Sequence, residues 1–262
     1  MSERASKDYW NYRGVKSYQY KGETFYTVTP IPLYYRRRAL LLELIKPLVL
    51  DNTVKNICDF GCGDGWYLQY LGRICPSKRY YGIDISESML ERAKQVAPFA
   101  ELQISQSGIN FENIFDLIFA IAVFAHIKDY LIPDLFKNIY DHLKPGAKFI
   151  LFEQTGPERR EGETWCRRTT QEYVGFAKGA GFEIEQRRLI AFPVHRFFER
   201  RIAPYLIRFF SNGFDKHERR IDANRSYFFK LMSELALYCT IQPLRADDGS
   251  IEGNSLYVLE KL

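Results

Sequence analysis

From residue 54 onward, short runs of β-branched and aromatic residues alternate with stretches whose apolar positions recur every three or four residues. Val54 to Phe60 reads as a first strand and Asp64 to Cys75 as a helix. Tyr80 to Ile85 reads as a second strand. It is followed by a helix from Ser86 to Val96, whose opening serines can accept free backbone N–H groups. Glu101 to Ser105 is a third strand, and the apolar run Asp116 to Phe124 is what a strand covered on both faces requires. A helix from Leu131 to Leu143 meets the stop signal Lys144-Pro-Gly146, and Lys148 to Glu153 supplies a fifth strand. Thr169 or Thr170 caps a helix ending near Gly179 to Gly181, a sixth strand runs from Phe182 to about Phe192, and Ser255 to Leu259 forms the last. Strands alternating with helices predict an α/β fold: a doubly wound, mostly parallel, seven-stranded sheet that binds ligands at the C-terminal ends of its strands.

Two stretches depart from this rhythm. Residues 1–32 are rich in tyrosine and tryptophan without clear periodicity and are read as a lid, which with the helix after it makes an N-terminal segment of residues 1–51. On that helix Leu41, Leu44, Ile45 and Leu48 define an apolar face, and stepping back along it by helical intervals reaches Arg37, with Arg36 turned away. Residues 193–250 read as a helical insertion between the last two strands, with Phe198, Ile202, Tyr205, Leu206 and Phe209 at helical spacing. The sheet domain is then residues 52–192 together with 251–262.

The net charge of +5 is concentrated rather than spread. Residues 187–225 hold ten Lys/Arg against four acids, so the basic character belongs to one segment. A basic amphipathic segment over 193–225 suits peripheral contact with an anionic membrane or with a phosphorylated or lipid-linked acceptor. Alternatively it packs its apolar face on the core or against a second chain. Nucleic acid is a weaker fit, and nothing specifies an oligomeric state. The apolar run Leu117 to Ala125 is too short to cross a bilayer, and the first residues lack the apolar stretch of a signal peptide. Five cysteines without a Cys-x-x-Cys pair give neither a disulfide framework nor a metal site. The expectation is a soluble, reduced, cytoplasmic protein.

The residues that narrow the chemistry are Asp59-Phe-Gly-Cys-Gly-Asp-Gly65, directly after the first strand. Glycines there let a ligand approach the backbone at a helix N-terminus. A dinucleotide-binding loop would place its third glycine where Trp66 stands, and Asp59 would repel a pyrophosphate. An acid ahead of the loop favours a ligand with cationic groups. Asp84, closing the second strand, is placed to accept hydrogen bonds from ribose hydroxyls.

With Gly82-Ile-Asp-Ile-Ser86, the run Phe115 to His126 and the entry Leu143-Lys-Pro-Gly-Ala-Lys-Phe149, this loop resembles the four ordered motifs of the class I, Rossmann-like, S-adenosylmethionine-dependent methyltransferases. The resemblance covers about residues 52–192 plus the last strand. It implies S-adenosyl-L-methionine as cofactor, with Asp59, Gly61, Cys62 and Gly63 at its methionine portion, Asp84 at the ribose, and Ile85 and Met89 beside the adenine. Gln106 or Ser107 would stand in for the family's usual Asp at the adenine amine, Ala120 and Ile121 would line the methionine side, and Arg37 would bind its carboxylate. The paired acids of polyamine synthases and the Asn-Pro-Pro-Tyr motif of nucleic-acid amino methyltransferases are both missing.

Methyl transfer is an in-line displacement served chiefly by positioning, and an oxygen acceptor also benefits from a base. His126, after the fourth strand, is the first candidate for that base. Glu153 at the end of the fifth strand and His195 at the start of the insertion are weaker ones. The expected activity is methylation of an oxygen on a small-molecule or glycan acceptor. The alternatives are N- or RNA-directed methylation, and a non-catalytic cofactor-binding partner subunit.

Overall fold

In a computed structural model of the chain, the described residues are 7–13, 18–20, 23–25, 31–112, 114–191, 214–215, 220–221 and 244–262. The sheet strands are β1 (Asn56–Phe60), β2 (Arg79–Asp84), β3 (Glu101–Ile104), β4 (Phe115–Ile121), β5 (Leu143–Thr155), β6 (Phe182–Ile190), β7 (Leu244–Ala246) and β8 (Gly253–Lys261). Their order across the sheet is β7-β6-β8-β5-β4-β1-β2-β3. β1, β2, β3, β4 and β5 pair in parallel, and β8 runs antiparallel to β5. This is the expected doubly wound sheet, with the three-residue β7 added at one edge.

From β1 the chain moves outward through β2 and β3, then returns to lay β4 on the other side of β1. That reversal opens a crevice at the C-terminal ends of β1 and β4. The register brings the ends together: Phe60 lies beside Ile83 on one side and Ala120 on the other. β1 and β4 are almost wholly buried, as strands covered on both faces must be. The helices are α1 (Lys7–Arg13), α2 (Ile31–Leu50), α3 (Trp66–Ile74), α4 (Glu87–Val96), α5 (Ile132–Asp141) and α6 (Thr170–Gly179). On one face of the sheet Phe136 and Ile139 of α5 and Tyr173 and Ala177 of α6 join Ile118, Phe149 and Tyr257 in a single buried cluster. Ser86 caps α4 by accepting from Met89 N at 3.3 Å, and Thr169 caps α6 in a reciprocal capping box with Glu172.

Two expectations are corrected. β4 stops at Ile121 instead of running to Phe124, because Ala122 takes a left-handed conformation (φ 58°) and Phe124–His126 turns into a short 3₁₀ helix. Three backbone N–H groups in that turn bind a carboxylate on β5, and their satisfaction there outcompetes continuation of the strand. On α2 the buried residues are Arg38, Leu40, Leu41, Leu42, Ile45 and Val49, with Arg37 half-buried. Leu44 and Leu48 lie at the edge of that buried face, so an inward position counted back from them falls one residue short.

The chain divides into two units. One is Met1–Gly14, Ile45–Leu189 and Ala246–Leu262; the other is Val15–Leu44 and Ile190–Arg245. Segment 15–44 thus groups with the insertion, while α1 belongs with the sheet. The second unit contains antiparallel pairs Tyr18–Tyr20 with Glu23–Phe25 and Phe214–Asp215 with Arg220–Ile221. The amphipathic run Phe198 to Phe209 and His195 lie outside the described residues. Among the described residues no helix is long and apolar enough to cross a membrane.

Candidate functional site

The glycine loop turns back over the end of β2. Gly61 N and Cys62 N donate to Ile83 O at 2.8 and 2.9 Å, and Gly63 N donates to Asp84 Oδ2 at 2.9 Å. Gly61, Gly63 and Gly65 all have positive φ, a region that other L-residues enter at a cost of about 1–2 kcal/mol. Their surroundings differ. A Cβ on Gly61 would meet Val123 Cγ2 at 2.4 Å, and one on Gly65 would meet Ala93 Cα at 2.9 Å. At Gly63 a Cβ would have nothing within 4 Å. The outer glycines hold the loop against its neighbours, and the middle one faces open space.

Three carboxylates converge on this loop. Asp59 is only 2% exposed, and among the described residues its Oδ2 has no hydrogen-bond partner. Burial pushes its carboxyl well above the ordinary range, and repulsion from Asp84 and Asp64 pushes it the same way. Burial also raises Asp84, against the opposing pull of the Ser86 and Gly63 N–H groups. An orphaned buried carboxylate flanked by two others is an environment that a cationic ligand relieves. S-adenosylmethionine carries an ammonium and a sulfonium, so these residues fit it. Asp84 uses one oxygen for Gly63 N and the other for Ser86 N (2.8 Å), leaving a lone pair on each for a ribose hydroxyl.

Around this centre stand the other expected cofactor residues. Met89 is buried beneath the first turn of α4, and Ile85 is half-buried directly after Asp84. Ala120 is fully buried at the end of β4 beside Phe60, with Ile121 half-buried after it. Gln106 and Ser107 are exposed in the turn after β3, which Ser105 N ties to Asp84 O at 3.0 Å. Arg37 belongs to the second unit.

Glu153, a weaker candidate base in the sequence, lies on β5 beneath the turn that follows β4. It is fully buried, and it accepts from Val123 N at 2.7 Å, Phe124 N at 2.6 Å and Ala125 N at 3.3 Å. Burial pushes its carboxyl up to about 7, against the lowering effect of those N–H groups. Its work is to anchor the turn that carries His126. A second side chain grips the same turn. Arg168, with no exposed surface, donates to Phe124 O at 2.6 Å, Ile127 O at 2.7 Å and Asp129 Oδ1 at 3.0 Å. Burial pushes the Asp129 carboxyl up, but the hydrogen bonds from Arg168 and Arg159 prevail and hold it below its usual range.

His126, half-buried at the end of this turn, has Nδ1 at 2.8 Å from Thr164 O. A carbonyl can only accept, so Nδ1 carries the proton and Nε2 is the basic nitrogen of the neutral ring. The His126 ring meets Trp10 edge to face, centroids 4.7 Å apart.

A family model described as a methyltransferase domain matches residues 33–187, more than half of the chain. The chain belongs to the class I S-adenosylmethionine-dependent methyltransferases. It is 34% identical over 108 residues to a trans-aconitate 2-methyltransferase from Azoarcus sp., a match covering 40% of this chain and 41% of that protein. It is 27% identical over 163 residues to a carboxy-S-adenosyl-L-methionine synthase from Nautilia profundicola, covering 60% and 68%. The chain thus spans about two fifths of the first relative's length and two thirds of the second's. Its fold matches the O-methyltransferase of a trans-AT polyketide synthase multienzyme from Brevibacillus brevis, solved with S-adenosyl-L-homocysteine. That likeness has a TM-score of 0.58 at 17% identity, over 89% of this chain and 77% of that one.

For a methyltransferase of this family, sequence reasoning missed three residues in the crevice. Arg168 was hidden by its plain setting, Arg167-Arg168-Thr169, which reads as an exposed loop end. Asn11 and Trp10 sit in the segment without periodicity, where no spacing rule assigns an inward side. The only available signal was their composition: an indole and an amide ahead of a cofactor-binding domain.

Proposed function

We propose that the protein transfers the methyl group of S-adenosylmethionine to an oxygen of a small-molecule or glycan acceptor, with His126 as the base. The observation that carries this reading is the pairing of two sites at adjacent strand ends. One is the orphaned Asp59 carboxylate under an open glycine loop, suited to a cationic cofactor. The other is an imidazole whose Nδ1 is committed to Thr164 O, so that Nε2 can take a proton.

When bound, the cofactor supplies an electrophilic methyl carbon on a positively charged sulfur. The protein's residues do the rest. Asp59 offers a carboxylate to the cationic portion and Asp84 fixes the ribose. Glu153 and Arg168 hold the turn from 123 to 129 from its N–H and C=O sides respectively. His126 Nε2 accepts the acceptor hydroxyl proton as the oxygen attacks, a contribution typically worth about 10²–10⁴ in rate. The charge of segment 193–225 supports a lipid-linked or phosphorylated acceptor met at a membrane surface, and the cysteine usage supports a cytoplasmic location.

The test has two stages. Titration calorimetry with S-adenosylmethionine is expected to show one saturable site, and no heat at millimolar ligand would end the proposal. Release of S-adenosylhomocysteine is then measured on a panel of alcohols, sugars and phenols. His126→Asn is expected to lower the turnover of the accepted substrate by at least about a hundredfold without weakening cofactor binding. Full turnover in that variant would remove His126 from the chemistry.

A further inference from the structure

Two consecutive residues of helix α1 touch two separate elements, the start of α4 and the turn after β4. Asn11 Oδ1 accepts from Ser86 Oγ at 2.7 Å and from Ser88 Oγ at 3.3 Å. Ser86 is also the residue whose N–H donates to Asp84 Oδ1, while the other oxygen of Asp84 holds Gly63 N. A continuous chain of hydrogen bonds therefore runs from Asn11 through Ser86 and Asp84 to the glycine loop. Trp10, the preceding residue, meets the His126 ring at the end of β4. Lys7 fastens the start of the same helix to Glu87, with Nζ 2.6 Å from Oε1. The ends of β2 and β4 flank β1 and are about 10 Å apart, two strand spacings. Helix α1 is thereby held both to the start of α4, which follows β2, and to the turn that follows β4.

We propose that Trp10 and Asn11 couple the two halves of the site: Asn11 senses occupancy at the ribose acid, and Trp10 sets the orientation of His126. The inference rests on the cofactor reading above and extends it to two positioning residues. A ribose hydroxyl donating to Asp84 fixes that carboxylate in one orientation, and with it the Ser86 turn whose hydroxyl donates to Asn11. That restrains α1 and, through the indole, fixes the imidazole against rotation about its bond to Thr164 O. The base is then fully aligned only when the cofactor is in place, so a lone acceptor meets a less ordered site. Trp10 and Asn11 take no part in bond making.

The readout is the His126 imidazole resonance of the whole chain, assigned by loss in His126→Asn and followed during titration with S-adenosylhomocysteine. Wild type is expected to shift and sharpen on saturation. Asn11→Ala is expected to bind about three- to tenfold more weakly, because the Ser86 turn beneath the ribose acid loses the contact that holds it in place. At saturating ligand its His126 response should be largely gone. Trp10→Leu should lose the response while binding within about threefold of wild type, and Trp10→Phe, which keeps an aromatic ring, should restore it. A full His126 response in saturated Asn11→Ala or Trp10→Leu would overturn the coupling while leaving the cofactor site intact. Failure of wild type to bind S-adenosylhomocysteine would instead defeat the underlying cofactor reading, so the two failures are distinct.

Discussion

Gly63 and Gly65 stand two residues apart and both have positive φ, yet a methyl group would act differently at each. Gly65→Ala forces a Cβ to within 2.9 Å of the Ala93 backbone in α4. Neither partner is a flexible side-chain end, so stability should fall by about 2–4 kcal/mol, measured by urea denaturation. Gly63→Ala meets no protein atom and should cost only the left-handed strain of about 1–2 kcal/mol. Its methyl group projects into the space assigned to the cofactor, so calorimetry should show S-adenosylhomocysteine affinity falling more than tenfold. Wild-type affinity in Gly63→Ala would mean that the ligand does not lie against this loop. Asp59 supports a matching prediction. Its free carboxyl is raised by burial and by its acidic neighbours, and a cationic ligand favours the ionised form, so binding should release a proton. Affinity should therefore rise with pH, and calorimetry in buffers of different ionisation enthalpy should register that proton. Asp59→Asn should abolish the proton release and weaken binding by about ten- to a hundredfold, the loss of a charge-assisted contact.

At the scale of elements, the turn after β4 is held in a strained form by side chains from two other elements, Glu153 on β5 and Arg168 before α6. Folding raises the Glu153 carboxyl from its ordinary 4.5 to about 7. Between those two pH values the folded chain keeps a proton that the unfolded chain has released, so stability falls as pH rises through that window and levels off above it. The size of the effect is about 3 kcal/mol. Glu153→Gln removes this titration. Its stability relative to wild type should therefore climb by about that amount from pH 4.5 to 7.5 in urea melts, and a constant difference would show that Glu153 is already ionised across the range. The same turn marks the limit of what the sequence discloses. β1, α4 and α6 were legible because their signals are local: an apolar run, a serine cap, a threonine–glutamate capping box. The end of β4 was not, because Val123 and Phe124 favour extended backbone and only a carboxylate thirty residues away bends them out of it. Arg168 escaped for the same reason, its partners being 41 and 44 residues distant. The cofactor loop, a contiguous motif, was readable residue by residue; Asn11 and Trp10, which meet it only in three dimensions, were not.

For the molecule as a whole, a ligand that binds the folded sheet and not the unfolded chain must raise its melting temperature. At a hundred times the dissociation constant the gain is about 2.7 kcal/mol, so a rise of a few degrees with S-adenosylhomocysteine is expected, and none with NAD. The sheet order holds a further consequence. β8 comes last in sequence yet lies between β6 and β5, running against β5 along eight paired residues from Gly253 to Glu260. During synthesis β5 and β6 leave the ribosome well before the strand that separates them. Until residues 253–261 follow, β5 shows one long unpaired edge with the apolar run Phe149–Phe152 at its centre. Such an edge will accept whichever strand reaches it first, including β6 in a wrong register or the same strand of another nascent chain. A ribosome stalled between residues 191 and 252 would therefore display its most adhesive surface, and translation speed across that stretch becomes a determinant of yield.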